Sequence, residues 1–482
     1  MKFQLASCAL GILMLAARAN ARTCDEVVKF LSDRAADVVC FESPDLTTNN
    51  EATTPEDNSL PGLPPGAFTP RTDRATISPD PPDHTPIYRE VPGIQVQGRF
   101  ADDPTGEARF LLRFPNDWNG RLVVAGASGT RSEFNGDFAW SDLVVQRGYA
   151  YASQNKGVLN LFITDPETDP LACRLNPVPP LLWVHFYDND PEKPFTQWQH
   201  YMVRGARLAR RALEAHYGHE PRRTYAVGTS NGGYQVRRAI EEAPELFDGG
   251  VDWEGTFVDP DRNILIDLPP AIRTMPDYIA SGHDPNGDAA QAIRAAGYPP
   301  DILGTPLTLW ERYYLSFWEV TMCQWQKRLD PDYDTYGSGP GNYDYFERRE
   351  VTDVAEDVAA FQNTGRVRRP LLTVAGTMDA LLPINGHARP YAEKVASHHH
   401  HHHGRDYRLY EVQNGNHIES YKTFYPQLEL IQPHAHRAFD LLVDHVEHHR
   451  PLPPSQCIPR GGSIVEDPGS EHCEQLFVGD ED

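Results

Sequence analysis

Several things are missing from this chain, and each absence removes a class of protein. Its seven cysteines include no C-x-x-C pair, which leaves out zinc ribbons and thioredoxin-like redox sites. After the first 21 residues no apolar run approaches the roughly 20 residues that a membrane-spanning helix needs, so no membrane span is expected. Positive charge is scarce: 44 Lys and Arg stand against 68 Asp and Glu, a formal net charge of −24. Such a surface repels a phosphate backbone and argues against a nucleic-acid partner. It also suits a protein that must stay in solution.

The opening residues, MKFQLASCALGILMLAARANA, pair Lys2 with an apolar stretch through Leu15 and a small-residue end, Ala19-Asn20-Ala21. That is the pattern of a secretory signal cleaved before Arg22, so the mature protein is expected to be secreted, either extracellular or periplasmic. Leu5-Ala6-Ser7-Cys8 resembles a lipoprotein cleavage site, but its cysteine precedes the apolar region it would have to follow. Without the leader, Cys24, Cys40, Cys173, Cys323, Cys457 and Cys473 remain, an even number that points to disulfides in an exported chain. Many pairings can be drawn. The simplest closes Cys24 with Cys40 and Cys457 with Cys473 at the two ends, and leaves Cys173 with Cys323 as a longer staple.

Residues 43–84 are dense in Pro, Thr, Asp and Asn and lack apolar periodicity, which reads as an irregular linker or wrapping segment. Short apolar stretches bounded by Gly and Pro then predict strands at 93–100, 108–114, 121–126 and 148–153. Met202, Ala206, Ala209, Leu213 and Tyr217 fall on one face of a helix over 197–217, and that stripe needs a sheet to pack on. A strand at 223–228, a Ser/Gly turn and a helix at 233–243 follow. After Pro370 come a strand at 371–375, a helix at 386–396, a strand at 407–412 and a helix at 435–448. This alternation predicts an α/β fold with a doubly wound, mostly parallel sheet.

Between Phe257 and Arg369 the rhythm breaks, and Trp310, Tyr313, Tyr314, Phe317, Trp318 and Trp325 crowd together, which reads as an inserted lid domain. The expected organisation is a signal peptide (1–21), a disulfide loop and Pro-rich linker (22–84), a first core part (85–256), the lid (257–369), a second core part (370–450) and a tail (451–482).

Gly228-Thr229-Ser230-Asn231-Gly232 matches G-x-S-x-G, the turn that lifts a serine hydroxyl above the sheet on a sharp strand-to-helix bend. Alone the match is weak. Its context strengthens it, because the strand residues Tyr225-Ala226-Val227 lead directly into it and a helix follows. A serine hydroxyl attacks only when a base takes its proton, and an acid must hold that base in the right tautomer. In the expected chain order of serine, acid and histidine, Asp379 follows the strand Leu371–Ala375, and His417 stands in the loop Gln413–His417 after the next strand. Singly, Asp379 would read as a turn residue or helix cap, and His417 as a surface loop residue. Together, in order and on one sheet edge, they read as the partners of Ser230. Asp252 and Glu419 are competing acids with poorer spacing.

Acyl transfer also needs donors for the developing oxyanion. The backbone N–H of Asn231 is one candidate. The other lies in the Gly-rich loop after the strand at 121–126, at Ala127 or Ser128. Tyr234, Trp253 and Trp318 are candidate substrate-binding residues, although aromatic stripes in a lid more often form its core. The run His398–His403 lies at a surface connection and reads as an idle low-complexity tract or an inserted tag rather than a catalytic metal site.

The blocks Pro115-Asn116-Asp117-Trp118-Asn119-Gly120-Arg121, Arg147 to Ser153, GTSNGGYQ and Pro244 to Gly249, with Asp379 and His417, resemble the tannase and feruloyl esterase family of exported α/β-hydrolases. The resemblance implies an α/β-hydrolase fold, an esterase with a Ser-His-Asp triad, a lid that shapes the acyl pocket and, often, a calcium ion in that lid. That family carries cysteines beside the serine and the histidine, joined by a disulfide, where this chain has Thr229 and Asn416. Its calcium-loop pattern is missing too. Asp330, Asp332 and Asp334 alternate in DPDYD, but without the Gly and terminal Glu of an EF-hand, and a solvated turn is the plainer reading.

The expectation is therefore a secreted serine carboxylic-ester hydrolase that works through an acyl-enzyme on aromatic (feruloyl- or tannin-like) or hydroxyalkanoate esters, with no organic cofactor and no metal ligand set implied. Hydroxybutyrate-oligomer or polyester depolymerases, a peptidase or amidase on the same scaffold, and a non-catalytic binding relative are the alternatives. Acyl specificity and oligomeric state stay open.

Overall fold

The computed structural model of the chain describes residues 22–54, 85–129, 131–158, 160–185, 195, 197–398 and 406–479. The expected leader, most of the linker and His399–His403 lie outside the described residues. His398 forms the C-cap of the helix Ala388–Ser397.

In chain order the strands are β1 (Ala35–Ser43), β2 (Gly93–Phe100), β3 (Arg109–Pro115), β4 (Arg121–Gly126), β5 (Ala150–Gln154), β6 (Phe162–Ile163), β7 (Cys173–Arg174), β8 (Trp183–His185), β9 (Arg223–Thr229), β10 (Gly249–Trp253), β11 (Leu371–Gly376), β12 (Tyr407–Val412) and β13 (Gln456–Ile458). Among the described residues, ten of them form one sheet in the order β1-β2-β3-β5-β4-β9-β10-β11-β12-β13. The pairings β1–β2, β2–β3 and β3–β5 are antiparallel. From β5 through β13 every pairing is parallel.

The central strands are near-continuous Val, Leu, Ala and Gly runs buried on both faces, as a sheet covered by helices on both sides requires. Helices Gln197–Tyr217, Asn231–Glu242 and Ala388–Ser397 contribute to the core on one face. Helix Gln432–His448, with Trp140 and Val144, fills the other. This is the doubly wound, mostly parallel α/β-hydrolase fold. The chain runs from β4 to β5 on one side, then crosses to β9 on the other side of β4. The strand order therefore reverses between β4 and β9, and in open α/β sheets ligands bind at the carboxyl ends flanking such a switch.

In the inserted region Trp310, Tyr313, Trp318 and Trp325 pack with residues of helices Ile264–Ala280 and Glu319–Leu329, in a core that also takes in Tyr234, Met378 and Ile418 from the α/β part. Leu161, Cys173 and Val184 belong to the same core, and a second sheet in the order β6-β8-β7 is fastened to the helix Glu319–Leu329 by the disulfide Cys173–Cys323. The other two disulfides are Cys24–Cys40 and Cys457–Cys473, so all three pairings are the simplest ones. No helix among the described residues is long and apolar enough to cross a membrane.

Candidate active site

Ser230 stands between the end of β9 and the helix Asn231–Glu242, at φ 58° and ψ −122°. That is a strained conformation for a residue with a side chain, and one that lifts the hydroxyl out of the strand-to-helix bend. The bend closes only because its neighbours lack side chains: a Cβ on Gly228 would sit 2.3 Å from the Gly232 carbonyl oxygen, and one on Gly232 would sit 2.4 Å from the Gly126 oxygen. The Ser230 N–H donates to the Trp253 carbonyl at 2.9 Å, which ties the elbow to β10.

Asp379 follows β11 and His417 follows β12. Their loops are knitted together by the N–H of Met378 to the Gly415 carbonyl (2.8 Å) and of Thr377 to that of Val412 (3.0 Å). His417 Nε2 lies 3.0 Å from Ser230 Oγ, and its Nδ1 lies 2.8 Å from Asp379 Oδ2. The second carboxylate oxygen of Asp379 accepts the N–H groups of Leu381 and Leu382, both at 2.7 Å. A carboxylate held this way accepts the Nδ1 proton, and Nε2 is left with a lone pair facing the serine hydroxyl. Both Asp379 and His417 are buried, while Ser230 is half-buried.

The two competing acids have other partners. Asp252 forms a fully buried ion pair with Arg237 at 2.5 Å and accepts the Thr373 hydroxyl at 2.8 Å and the Gly255 N–H at 2.7 Å. Glu419 accepts the N–H groups of Ile431 and Gln432 at the start of the helix Gln432–His448.

The serine opens onto a cavity of about 230 Å³ whose apolar wall includes Leu161, Leu175, Ile264, Val320, Leu381 and Ile418, with Arg131, Thr256, Ser316 and Thr321 as further polar lining. Ser128, Gly129, Asn231 and His417 form its reactive end. The Asn231 amide stands where an oxyanion donor is expected. Ala127 is buried away from the lining, and the Ser128 N–H already donates to Asn135 Oδ1 at 2.9 Å. Gly129, the next residue, lines the cavity beside Ser128. Gln235 Nε2 donates to the Ala127 carbonyl (2.8 Å) and to Asn231 Oδ1 (2.9 Å), fixing the two donor loops against each other.

The three aromatic candidates lie elsewhere, outside the cavity lining. Tyr234 is buried and donates its hydroxyl to the Phe361 carbonyl at 2.5 Å. Trp253 packs edge-on against Trp140 under the sheet. Trp318 donates its indole N–H to the Ala380 carbonyl at 2.7 Å inside the lid core. All three are core residues, and the aromatic groups that line the cavity are Phe317 and Trp325. In DPDYD, Asp330 is paired with Arg348 at 2.6 Å and accepts the Tyr343 hydroxyl at 3.0 Å, while Asp334 caps the helix Thr335–Ser338.

One residue at the site escaped the sequence pattern. Glu254, one position beyond β10, places Oε2 3.5 Å from His417 Nδ1. Among the described residues, Glu254, Asp379 and His417 are the one group of three ligand-type side chains whose atoms converge, within 4.8 Å of one another. Burial first, and the neighbouring Asp379 charge second, push the Glu254 carboxyl well above the usual carboxylate range.

A doubly wound sheet with a serine elbow, a histidine and an acid at successive strand ends defines the serine-hydrolase type of α/β fold. Solved structures similar to the chain include two esterases. An esterase from Aspergillus oryzae matches at 15% identity and a TM-score of 0.51, over 89% of this chain and 90% of that one. Feruloyl esterase B from Aspergillus oryzae matches at 12% identity and a TM-score of 0.49, over 93% and 94%. More narrowly, a family model described as 3HB-oligomer hydrolase matches residues 342–471, a stretch that holds Asp379 and His417. The D-(-)-3-hydroxybutyrate oligomer hydrolase of Burkholderia thailandensis is 34% identical over 103 residues, which span 20% of this chain and 14% of that protein.

Proposed function

We propose that this protein is an exported serine esterase that cleaves short hydroxyalkanoate esters of the 3-hydroxybutyrate type. The observation that carries the reaction class is the continuous line from Asp379 through His417 to Ser230, ending at an apolar cavity. Ser230 Oγ attacks the ester carbonyl as His417 Nε2 takes its proton, and the amides of Asn231 and Gly129 receive the oxyanion. His417 then returns the proton to the leaving alcohol, and water, activated by the same imidazole, releases the acid. Asp379 keeps the proton on Nδ1 and stabilises the imidazolium.

The choice of acyl group is supported by the similarity of residues 342–471 to 3HB-oligomer hydrolases and by a cavity that sets an aliphatic wall beside polar groups such as Arg131 and Thr256, as a short hydroxyacyl chain needs. Export is supported by the three disulfides, which persist in oxidising compartments. The test is a rate panel of 3-hydroxybutyrate dimers and trimers, methyl hydroxycinnamates and matched amides, on the wild type and Ser230→Ala. The expected result is turnover of the oligomers above the cinnamates and amides, reduced by a factor on the order of 10⁴ or more in Ser230→Ala. Preference for the aromatic esters would overturn the substrate assignment, and undiminished turnover by Ser230→Ala would overturn the serine mechanism.

A further inference from the structure

The acid end of the site holds one carboxyl more than the reaction requires. Glu254 comes from the end of β10 and Asp379 from just beyond the end of β11, and these two strands are neighbours. Their side chains therefore converge from adjacent strands on the same nitrogen of the same ring, at 3.5 Å and 2.8 Å from His417 Nδ1. Glu254 Oε1 accepts the Gly376 N–H at 3.0 Å, while Oε2, the atom nearest the ring, has no hydrogen-bond partner. A buried carboxyl oxygen left unpaired costs free energy, and here it faces the one position where a base's proton must be held. The backbone adds a second cost. Glu254 has φ 53°, a left-handed conformation that residues with side chains seldom adopt, and it is clamped there by its own N–H donating to the Val374 carbonyl at 2.9 Å. Strain of this kind persists where the surroundings over-determine it.

Burial and the neighbouring Asp379 charge raise the affinity of the Glu254 carboxyl for a proton, as expected where two carboxyls share a buried site. Asp379, with two N–H donors on Oδ1, is the better host for the negative charge, and Glu254 keeps its proton while Asp379 is ionised. Removing the Asp379 charge removes the repulsion that holds that proton in place, and Oε2 is then the nearest oxygen able to accept from Nδ1.

We propose that Glu254 is a reserve acid of the triad: a positioning residue whose carboxyl takes over the Nδ1 proton of His417 when Asp379 is lost or neutralised. It rests on the serine-esterase reading. The test is a cycle read as the rate of fluorophosphonate labelling of Ser230, which needs an activated serine but no knowledge of the substrate. Glu254→Gln, Asp379→Ala, Asp379→Asn and the two double variants are compared with wild type, each checked for a cooperative unfolding transition. Both members of each Asp379 pair share any folding cost of the Asp379 change, so the ratio within the pair isolates Glu254.

Glu254→Gln is expected to slow labelling only a few-fold in the otherwise intact protein, but by about thirty-fold or more on the Asp379→Ala background, with the double variant approaching the roughly 10⁴-fold loss of a triad without its acid. Glu254→Asp on that background should restore part of the rate, which a merely structural carboxyl would not do. Equal ratios on the two backgrounds would overturn the reserve-acid role. Absence of labelling in the wild type, or equal labelling of Ser230→Ala, would instead overturn the esterase reading beneath it.

Discussion

Asn416 stands next to the base, at the position where the tannase and feruloyl esterase family places a cysteine, and it is anchored differently. Its Oδ1 accepts the hydroxyl of Tyr313 at 2.9 Å, and that hydroxyl in turn accepts the Ile418 N–H at 3.3 Å. One buried lid tyrosine thus holds both neighbours of His417, and does for the loop what a covalent bridge would otherwise do. Tyr313→Phe preserves the ring packing but leaves the buried Asn416 oxygen and the Ile418 N–H unpaired, a cost of about 1–3 kcal/mol. The expected outcome is an unfolding free energy, read from urea titration, lowered by that amount with a matching fall in the midpoint, together with a several-fold fall in kcat/KM as the imidazole loses its fixed place. An unchanged midpoint and unchanged kinetics would show that the loop holds itself. Trp318 makes the complementary point. Its indole is fully buried and bonded to Ala380, and a residue's type alone does not say whether it faces a cavity or a core.

The elbow is the element on which the chemistry depends most, and its tolerances are narrow. Gly228→Ala puts a methyl group 2.3 Å from the Gly232 oxygen, a backbone contact that no rotamer relieves. The strand and helix must separate or the serine must leave its strained conformation, so fluorophosphonate labelling of Ser230 is expected to be lost even if the variant folds. Labelling at the wild-type rate would mean that the close approach is not required. This element was legible in the sequence because its requirements are local: glycines at fixed offsets, an apolar strand before and a helix after. Asp379 and His417 were legible for a related reason, since chain order and strand ends place them without any knowledge of contacts. Glu254 was not, because the end of β10 offers Asp252 inside the strand and Glu254 just past it, two residues apart, and only the fold shows that Arg237 takes the first. The small sheet escaped as well. Its strands are two or three residues long, too short to carry an alternation, and they are held by the disulfide and the lid core. The tail likewise pairs β13 with β12 and bonds Leu476 and Val478 to the loops that carry Asp379 and His417, contacts that reach across the fold.

At the scale of the whole molecule, lid and core meet at a buried acid–imidazole contact whose titration should mark the stability of the entire protein. Asp267, on the lid helix Ile264–Ala280, lies 3.5 Å from Nε2 of His387, beside the core helix Ala388–Ser397. His387 Nδ1 accepts the Phe257 N–H at 3.0 Å, which leaves its proton on Nε2. Burial pushes its pKa down to about 3, so it stays neutral and cannot balance a charge on Asp267. Burial in turn pushes the Asp267 carboxyl from 3.8 up to about 7. Because the folded state binds this proton more tightly than the unfolded chain, stability falls as pH rises from about 4 to about 7, at up to about 1.4 kcal/mol per pH unit. The buried histidines act in the opposite sense. His434 and His436, lowered to about 4 from 6.5, stay neutral in the fold while the unfolded chain protonates, so their contribution rises with pH across that lower window. Asp142, raised to about 7, and Asp301, raised to about 6, act in the same sense as Asp267, so the wild-type profile is a sum over several buried groups. Asp267→Asn removes the share of this one acid and leaves those of the other acids and of the histidines. Its stability relative to wild type should therefore climb steadily from about pH 4 to about pH 7 and level off above that range, as read from urea unfolding at closely spaced pH values. A difference between variant and wild type that does not change with pH would mean that Asp267 is ionised in the fold throughout, with its charge satisfied by groups other than His387.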